Sequence, residues 1–193
     1  SGATGSSIAV RTTTGFMLGR AGDFDADGQL DLLVGSVNPF KVEIVSGFDG
    51  SLLGTVPVPG GFSSFDGGED VDGDGVPDVI VGLYWDSSVA SSGGSVTVRS
   101  GATMTVIHQL NGSASEGIGT SVCLGDMNGD ARADFAYSKS DASSGAGVGL
   151  VRSGVTAEVI FTTAGVIPDT RFTRIVRDLD GDGFQDLLFG GPE

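Results

Sequence analysis

Oxygen-bearing side chains recur at positions 1, 3, 5 and 9 of an acidic loop that the chain repeats four times. The first copy places Asp23, Asp25, Asp27 and Asp31. The second places Asp70, Asp72, Asp74 and Asp78, and the fourth Asp178, Asp180, Asp182 and Asp186. The third has Asp126, Asn128, Asp130 and Asp134. Position 7 of each loop adds a backbone carbonyl, from Gln29, Val76, Arg132 or Phe184. A loop this rich in oxygens wraps a hard cation, and calcium is the cation that accepts so many of them. About four Ca²⁺ ions are therefore expected.

The spacing separates this loop from other calcium modules. A helix–loop–helix calcium site ends on a bidentate Glu at its twelfth position. Here that position is Val34, Val81, Tyr137 or Phe189, none of which ligates a metal. The ninth-position Asp must then complete each site. Position 6 is Gly28, Gly75 or Gly183, a residue that reaches positive φ freely. The third loop has Ala131 there and one charge fewer, so it should be the weakest site. Asp-Gly pairs also make plain solvated turns. Solvation does not need this spacing, and each close carboxylate pair repels by about 1 to 4 kcal/mol between water and a near-surface dielectric. Without a cation the loops should disorder.

The elements that hold these loops follow from the repeat. The first aspartates are at 23, 70, 126 and 178, giving periods of 47, 56 and 52 residues. Periods of this size indicate a solenoid, a propeller or an array. After each loop comes a short apolar run closed by glycine or a turn: Asp31–Gly35, Asp78–Gly82, Asp134–Tyr137 and Asp186–Gly190. These read as buried strands. Alternating runs follow at Lys41–Val45, Ser95–Arg99 and Gly147–Arg152, each ending in Ser-Gly at Ser46, Ser100 or Ser153. A further strand comes next, at Leu52–Val58, Thr105–Leu110 and Glu158–Thr162. Another precedes each loop, at Phe16–Ala21, Phe62–Phe65, Ile118–Leu124 and Phe172–Val176. Four strands per period make one propeller blade. The chain is read as all-β, with blades of four antiparallel strands. It forms a single array over 1–193, in units of roughly 15–59, 60–110, 116–163 and 169–193 plus 1–14.

At this point the residues resemble a known family, the FG-GAP repeats of the integrin α-subunit N-terminal β-propeller. The acidic core matches that pattern four times. The flanks match loosely: Phe62 holds the Phe place of the second unit, Ile118-Gly119 replaces Phe-Gly in the third, and Gly190-Gly191-Pro192 approximates Gly-Ala-Pro. The resemblance implies a loop between the first two strands of each blade, and calcium in it.

The chain ends bear on closure. Ser1–Val10 resembles Ser100–Ile107, so the N-terminal segment should supply a fourth strand, and the last strand ends at Gly190. About half of an integrin-type ring is then present. The chain could be part of a longer protein, pair with copies of itself, or close alone as a small ring. An open array exposes apolar faces and strand edges. Copies of itself or the rest of a longer chain are thus the expected partners.

Composition narrows the function. The net charge is −15, and fifteen of the 25 acidic residues lie in the four loops. With two lysines, Lys41 and Lys139, there is no basic patch for nucleic acid. No apolar run reaches membrane-spanning length. Lone Cys123 falls in an expected strand and reads as buried and inert. His108 reads as a half-exposed strand residue with no catalytic set around it, so no enzyme is expected. Calcium sites of extracellular modules are weak, with Kd of about 10⁻⁴ to 10⁻³ M, so they fill outside the cell. The leading expectation is a calcium-stabilised extracellular interaction module, in adhesion, a surface layer or a filament scaffold. Two alternatives stand beside it. One is a carbohydrate-binding propeller, with Tyr84-Trp85-Asp86 as its local cue. The other is the non-catalytic propeller of a larger secreted enzyme. Asn111-Gly112-Ser113 is also an acceptor sequon for N-glycosylation, placed in an expected turn.

Overall fold

The computed structural model describes residues 17–140, 146–163, 167–168 and 172–190. The N-terminal strand expected within 1–14, and the Gly191-Pro192 of the terminal motif, lie outside them. The strands are β1 (Met17–Gly22), β2 (Asp31–Val37), β3 (Phe40–Val45), β4 (Leu52–Val56), β5 (Ser64–Glu69), β6 (Asp78–Leu83), β7 (Ser95–Arg99) and β8 (Val106–Asn111). They continue with β9 (Val122–Gly125), β10 (Asp134–Ser140), β11 (Ala146–Arg152), β12 (Val159–Thr162), β13 (Ile167–Pro168), β14 (Phe172–Val176) and β15 (Asp186–Gly190). No helix occurs among the described residues.

Each sheet is an antiparallel meander in chain order. Blade I is β1-β2-β3-β4, blade II β5-β6-β7-β8, blade III β9-β10-β11-β12 and blade IV β14-β15. Short β13 pairs with β11 beside β12, an addition the repeat pattern does not contain. The first strands lie side by side: β1 against β5, β5 against β9 and β9 against β14. Within the described residues no strand pairing joins blade IV to blade I.

A middle blade must bury both faces, and its sequence shows how. Side chains alternate across a strand. In β6, Val79 and Val81 enter the core shared with blade I, while Ile80 enters the core shared with blade III. In β10, Phe135 and Tyr137 face blade II, and Ala136 joins Cys123, Val151 and Ile175 toward blade IV. That is why these strands are continuous apolar runs. Blade I differs: Leu33 is fully buried, but its neighbour Leu32 is 44% exposed. Between blades I and II, Phe62 sits edge-on to Phe65 and Phe40, with ring centroids 5.2 and 6.1 Å away.

The first strands also meet in a polar hub. Asp66 of β5 is fully buried, and its Oδ1 lies 3.1 Å from Arg174 Nη1 of β14 and 3.5 Å from Arg20 Nε of β1. Arg20 also donates to Glu69 Oε1 at 2.9 Å and to the Leu124 carbonyl of β9 at 2.8 Å. One carboxylate thus ties strands from all four blades. Burial raises the Asp66 pKa, and the two guanidinium charges act against that rise.

Candidate metal centres

Each acidic loop joins the first strand of a blade to the second, and each closes by the same set of carboxylate-to-amide bonds. The position 1 carboxylate accepts the position 6 amide: Asp23 from Gly28 at 3.1 Å, Asp70 from Gly75 at 3.0 Å, Asp126 from Ala131 at 3.0 Å and Asp178 from Gly183 at 2.9 Å. Position 3 accepts the position 5 amide, as Asp72 does from Asp74 at 3.1 Å and Asn128 from Asp130 at 2.9 Å. Position 5 accepts the position 7 amide: Asp27 from Gln29, Asp74 from Val76, Asp130 from Arg132 and Asp182 from Phe184, at 2.7 to 2.9 Å. These local bonds satisfy loop amides that no strand ladder reaches. In loop 1 they gather the carboxylates of positions 1, 3 and 5 on the inside of one bend; in loops 2 and 4 the gathered carboxylates are those of positions 1, 3 and 9, and Asp74 and Asp182 of position 5 stand outside.

The bend needs left-handed residues. Position 6 has φ of 87°, 88° and 94° at Gly28, Gly75 and Gly183, and 64° at Ala131. Position 4 is left-handed too, at Ala26, Gly73, Gly129 and Gly181. Packing adds a second reason for glycine at position 4 in the middle loops. The Phe184 ring of loop 4 lies 2.9 Å from where a Gly129 Cβ would stand, and the Arg132 guanidinium of loop 3 lies against Gly73. Position 7 of loops 3 and 4 therefore covers position 4 of the loop before it.

The carboxylates converge. Oxygens of Asp23, Asp25 and Asp27 lie within 4.8 Å of one another, as do those of Asp70, Asp72 and Asp78 and those of Asp178, Asp180 and Asp186. Local desolvation, then the charge of Asp27, pushes the Asp25 carboxyl above its usual value. Asp23 Oδ1 is buried without a hydrogen-bond partner. An all-oxygen donor set with crowded negative charge and an orphaned buried oxygen fits a hard cation such as calcium.

The ninth residue has a second task. Asp31 is buried; its Oδ2 accepts the Phe24 amide at 2.7 Å and its Oδ1 the Gly47 amide at 2.9 Å. Asp78 does the same with Val71 at 2.7 Å and Gly101 at 2.8 Å, and Asp134 with Met127 at 2.9 Å and Gly154 at 3.1 Å. Burial pushes the Asp78 pKa up to about 6, against the backbone bonds that favour its charge. In loop 1 the ninth carboxylate stands outside the Asp23–Asp25–Asp27 cluster; in loops 2 and 4 it joins. The glycine partners are those of the recurring Ser-Gly pairs. The Ser-Gly recurrence is visible in the sequence; its cause, an amide donated to the ninth carboxylate, is visible only in the fold. Asp66 carries no such signal, because it stands outside the repeated loops and nothing in its spacing sets it apart.

Other singled-out residues are placed as follows. His108 stacks on Phe135 at 5.3 Å, and its Nε2 bonds the Gly154 carbonyl, tying blade II to blade III. Cys123 is fully buried, and burial pushes its thiol up to about 12. Tyr84 and Trp85 are 42% and 52% exposed. Asn111 ends β8 rather than occupying a turn, and its side-chain oxygen accepts from Gln109 at 3.3 Å.

Comparison with known proteins agrees with this architecture. Residues 70–137, spanning the second and third acidic loops, match the model of the FG-GAP-like repeat. No curated protein sequence matches the chain. Among solved structures, the Dos1 propeller superposes with a TM-score of 0.54 at 15% identity, over 83% of this chain and 38% of that one. Saccharomyces cerevisiae Sqt1 superposes with a TM-score of 0.60 at 13% identity, over 92% of this chain and 42% of that one. The chain thus spans less than half the length of either. The fold is a β-propeller arc, in which the second and third acidic loops match the FG-GAP-like repeat.

Proposed function

We propose that this chain is a calcium-stabilised interaction module that works outside the cell. The observation that carries the reading is the convergence of three carboxylates in a backbone cradle, in loops 1, 2 and 4. The residues that would hold calcium are the position 1, 3, 5 and 9 side chains, with the position 7 carbonyls of Gln29, Val76, Arg132 and Phe184 completing each set. Bound calcium would cancel the repulsion that otherwise opens each bend, so it acts as a folding cofactor and not as a signal.

The extracellular placement rests on affinity. Open loops of this type bind weakly and need millimolar calcium. No helix among the described residues is long and apolar enough to cross a membrane. Binding partners are further copies of the chain or further blades of a longer protein, because blade I leaves an apolar face open. His108 is engaged in packing and bonding, which supports a non-catalytic role.

Calorimetric unfolding in EDTA and in 1 mM calcium tests the reading. At a Kd of about 10⁻⁴ M, each site adds roughly 1.4 kcal/mol at 1 mM calcium. With about 2 to 4 °C per kcal/mol for a domain of this size, several filled sites shift the midpoint by roughly 10 °C. Equal midpoints in the two buffers would sink the proposal.

A further inference from the structure

An open cleft of about 470 Å³ lies between blades I and II, away from the acidic loops. One wall is the face of blade II. Strand register stacks that face in rows: Leu83 beside Ser95 beside Asn111, then Val81 beside Thr97 beside Gln109, with Arg99 at the end of the wall. The inner strand of these rows is aliphatic and the outer two are polar. The opposite wall is the connection from β4 to β5, with Pro57, Val58 and Pro59. From Ser95 to Arg99 the groove runs roughly 13 Å at the rise of a strand, the length of two to three sugar rings.

The polar groups are fixed before any ligand arrives. Thr97 Oγ1 donates to Gln109 Oε1 at 2.7 Å, and Gln109 Nε2 donates to Asn111 Oδ1 at 3.3 Å. Arg99 Nη1 is anchored on the Met104 carbonyl at 2.9 Å. At the other end Asp86 accepts the Ser88 amide at 2.8 Å. Groups already ordered lose little conformational entropy on binding. Arg99 and Asp86 cancel in charge, and the side chains between them are neutral hydroxyls and amides. A chain of net charge −15 repels polyanions.

We infer that this cleft binds a neutral oligosaccharide of two or three units. A sugar ring has a hydroxyl edge and an aliphatic C–H face. The edge meets the alternating donors and acceptors of Thr97, Gln109 and Asn111. The face meets Val81, Leu83 and the prolines opposite. A purely apolar ligand would strip water from the remaining donor and acceptor positions of those groups and offer no bond in return. Trp85 is not part of the cleft lining, so the site stands on the rows of β6, β7 and β8 and not on that exposed ring.

The test uses the whole chain in calcium buffer. Saturation-transfer NMR is run with chitotriose, cellotriose and maltotriose, and with triglycine as a zwitterionic peptide probe. An array of neutral glycans is run in parallel. Gln109→Ala and Asn111→Ala remove the amides from an exposed strand, and their melting temperatures confirm folding. The expected result is transfer from at least one oligosaccharide, with affinity reduced tenfold or more in Gln109→Ala. Three results overturn the inference: no glycan retained in either assay, glycan binding that both variants leave unchanged, or binding of triglycine alone, which would make the cleft a peptide site.

Discussion

Asp78 Oδ1 accepts the amide hydrogen of Gly101 at 2.8 Å, joining the start of the second strand of blade II to the turn between its third and fourth strands. The other oxygen of Asp78 accepts the Val71 amide inside the loop. Asp31 and Asp134 make the matching pairs in blades I and III. A ninth-position carboxylate is therefore a clamp within its own blade as well as a potential ligand.

The two tasks are separable. Asp78→Asn keeps the size but turns an acceptor into a donor facing a buried amide. A buried group left unpaired costs about 1 to 3 kcal/mol, so Asp78→Asn should lower stability by that amount even in EDTA. Asp74→Asn, at an exposed position 5, should change stability little in EDTA and weaken the response to calcium. Urea unfolding of both variants, with and without calcium, checks this. Equal behaviour of the two in EDTA would remove the clamp.

Ala131 is the misfit of the set. It holds φ of 64° where three loops use glycine. A left-handed non-glycine residue costs roughly 1 to 2 kcal/mol, and part of that returns as the greater unfolded-state freedom of glycine. Ala131→Gly should therefore raise stability by about 0.5 to 1 kcal/mol, and calorimetry should record a higher midpoint. Asn128→Asp restores the missing charge, and titration calorimetry should show tighter calcium binding by the third loop. A destabilised Ala131→Gly variant would mean that the strain is absent.

The blades were legible in the sequence because period-2 alternation and the loop spacing agree. The second strands begin at Asp31, Asp78, Asp134 and Asp186, as the ninth aspartate dictates. First strands were harder. Phe62 and Ile118 belong to the connections before β5 and β9, not to the strands themselves, because their rings and branches plug the core from outside the ladder. The loops announced themselves through four copies. The hub around Asp66 did not, since its partners Arg20 and Arg174 lie 46 and 108 residues away along the chain. Nor did the cleft, whose polar side chains face one way only through a register that spacing along the chain does not reveal.

The hub gives the protein a pH signature. Burial raises the Asp66 pKa, and burial also raises Glu69. A raised carboxylate binds protons more readily folded than unfolded. Between its unfolded value and its folded value, stability therefore falls as pH rises. Asp178, Asp86 and Asp49 are lowered, so their contributions change only below the usual carboxylate value. Burial also raises Asp78, to about 6. In EDTA, stability should then increase from pH 7 to pH 4, with Asp78 titrating in the upper part of that range. Asp66→Asn should show a smaller increase, because one of the titrating groups is gone. Urea midpoints at the two pH values measure it, and an identical pH response in the variant would discount Asp66.

Blade I presents the same kind of face that blade II buries. Leu18 pairs with Val34 and Arg20 with Leu32 across β1 and β2, so these side chains share the side opposite buried Leu33. Leu18 is 70% exposed and Leu32 44%. They line a space of about 510 Å³ that Arg174, Ile175 and Val176 of blade IV border from the far side. Leu188 of β15 is 50% exposed as well. Covering such side chains gains about 25 cal/mol per Å² of apolar area, which favours association of copies through these open faces. Light scattering coupled to size exclusion should give a mass above the 19.4 kDa of one chain, rising with concentration. Leu18→Ser combined with Leu32→Ser should return the mass to that of a single chain. Its melting temperature at low concentration should stay unchanged, since both leucines are exposed there. A wild-type chain that remains monomeric at high concentration, or a double variant that associates as before, would place the contact elsewhere or remove it.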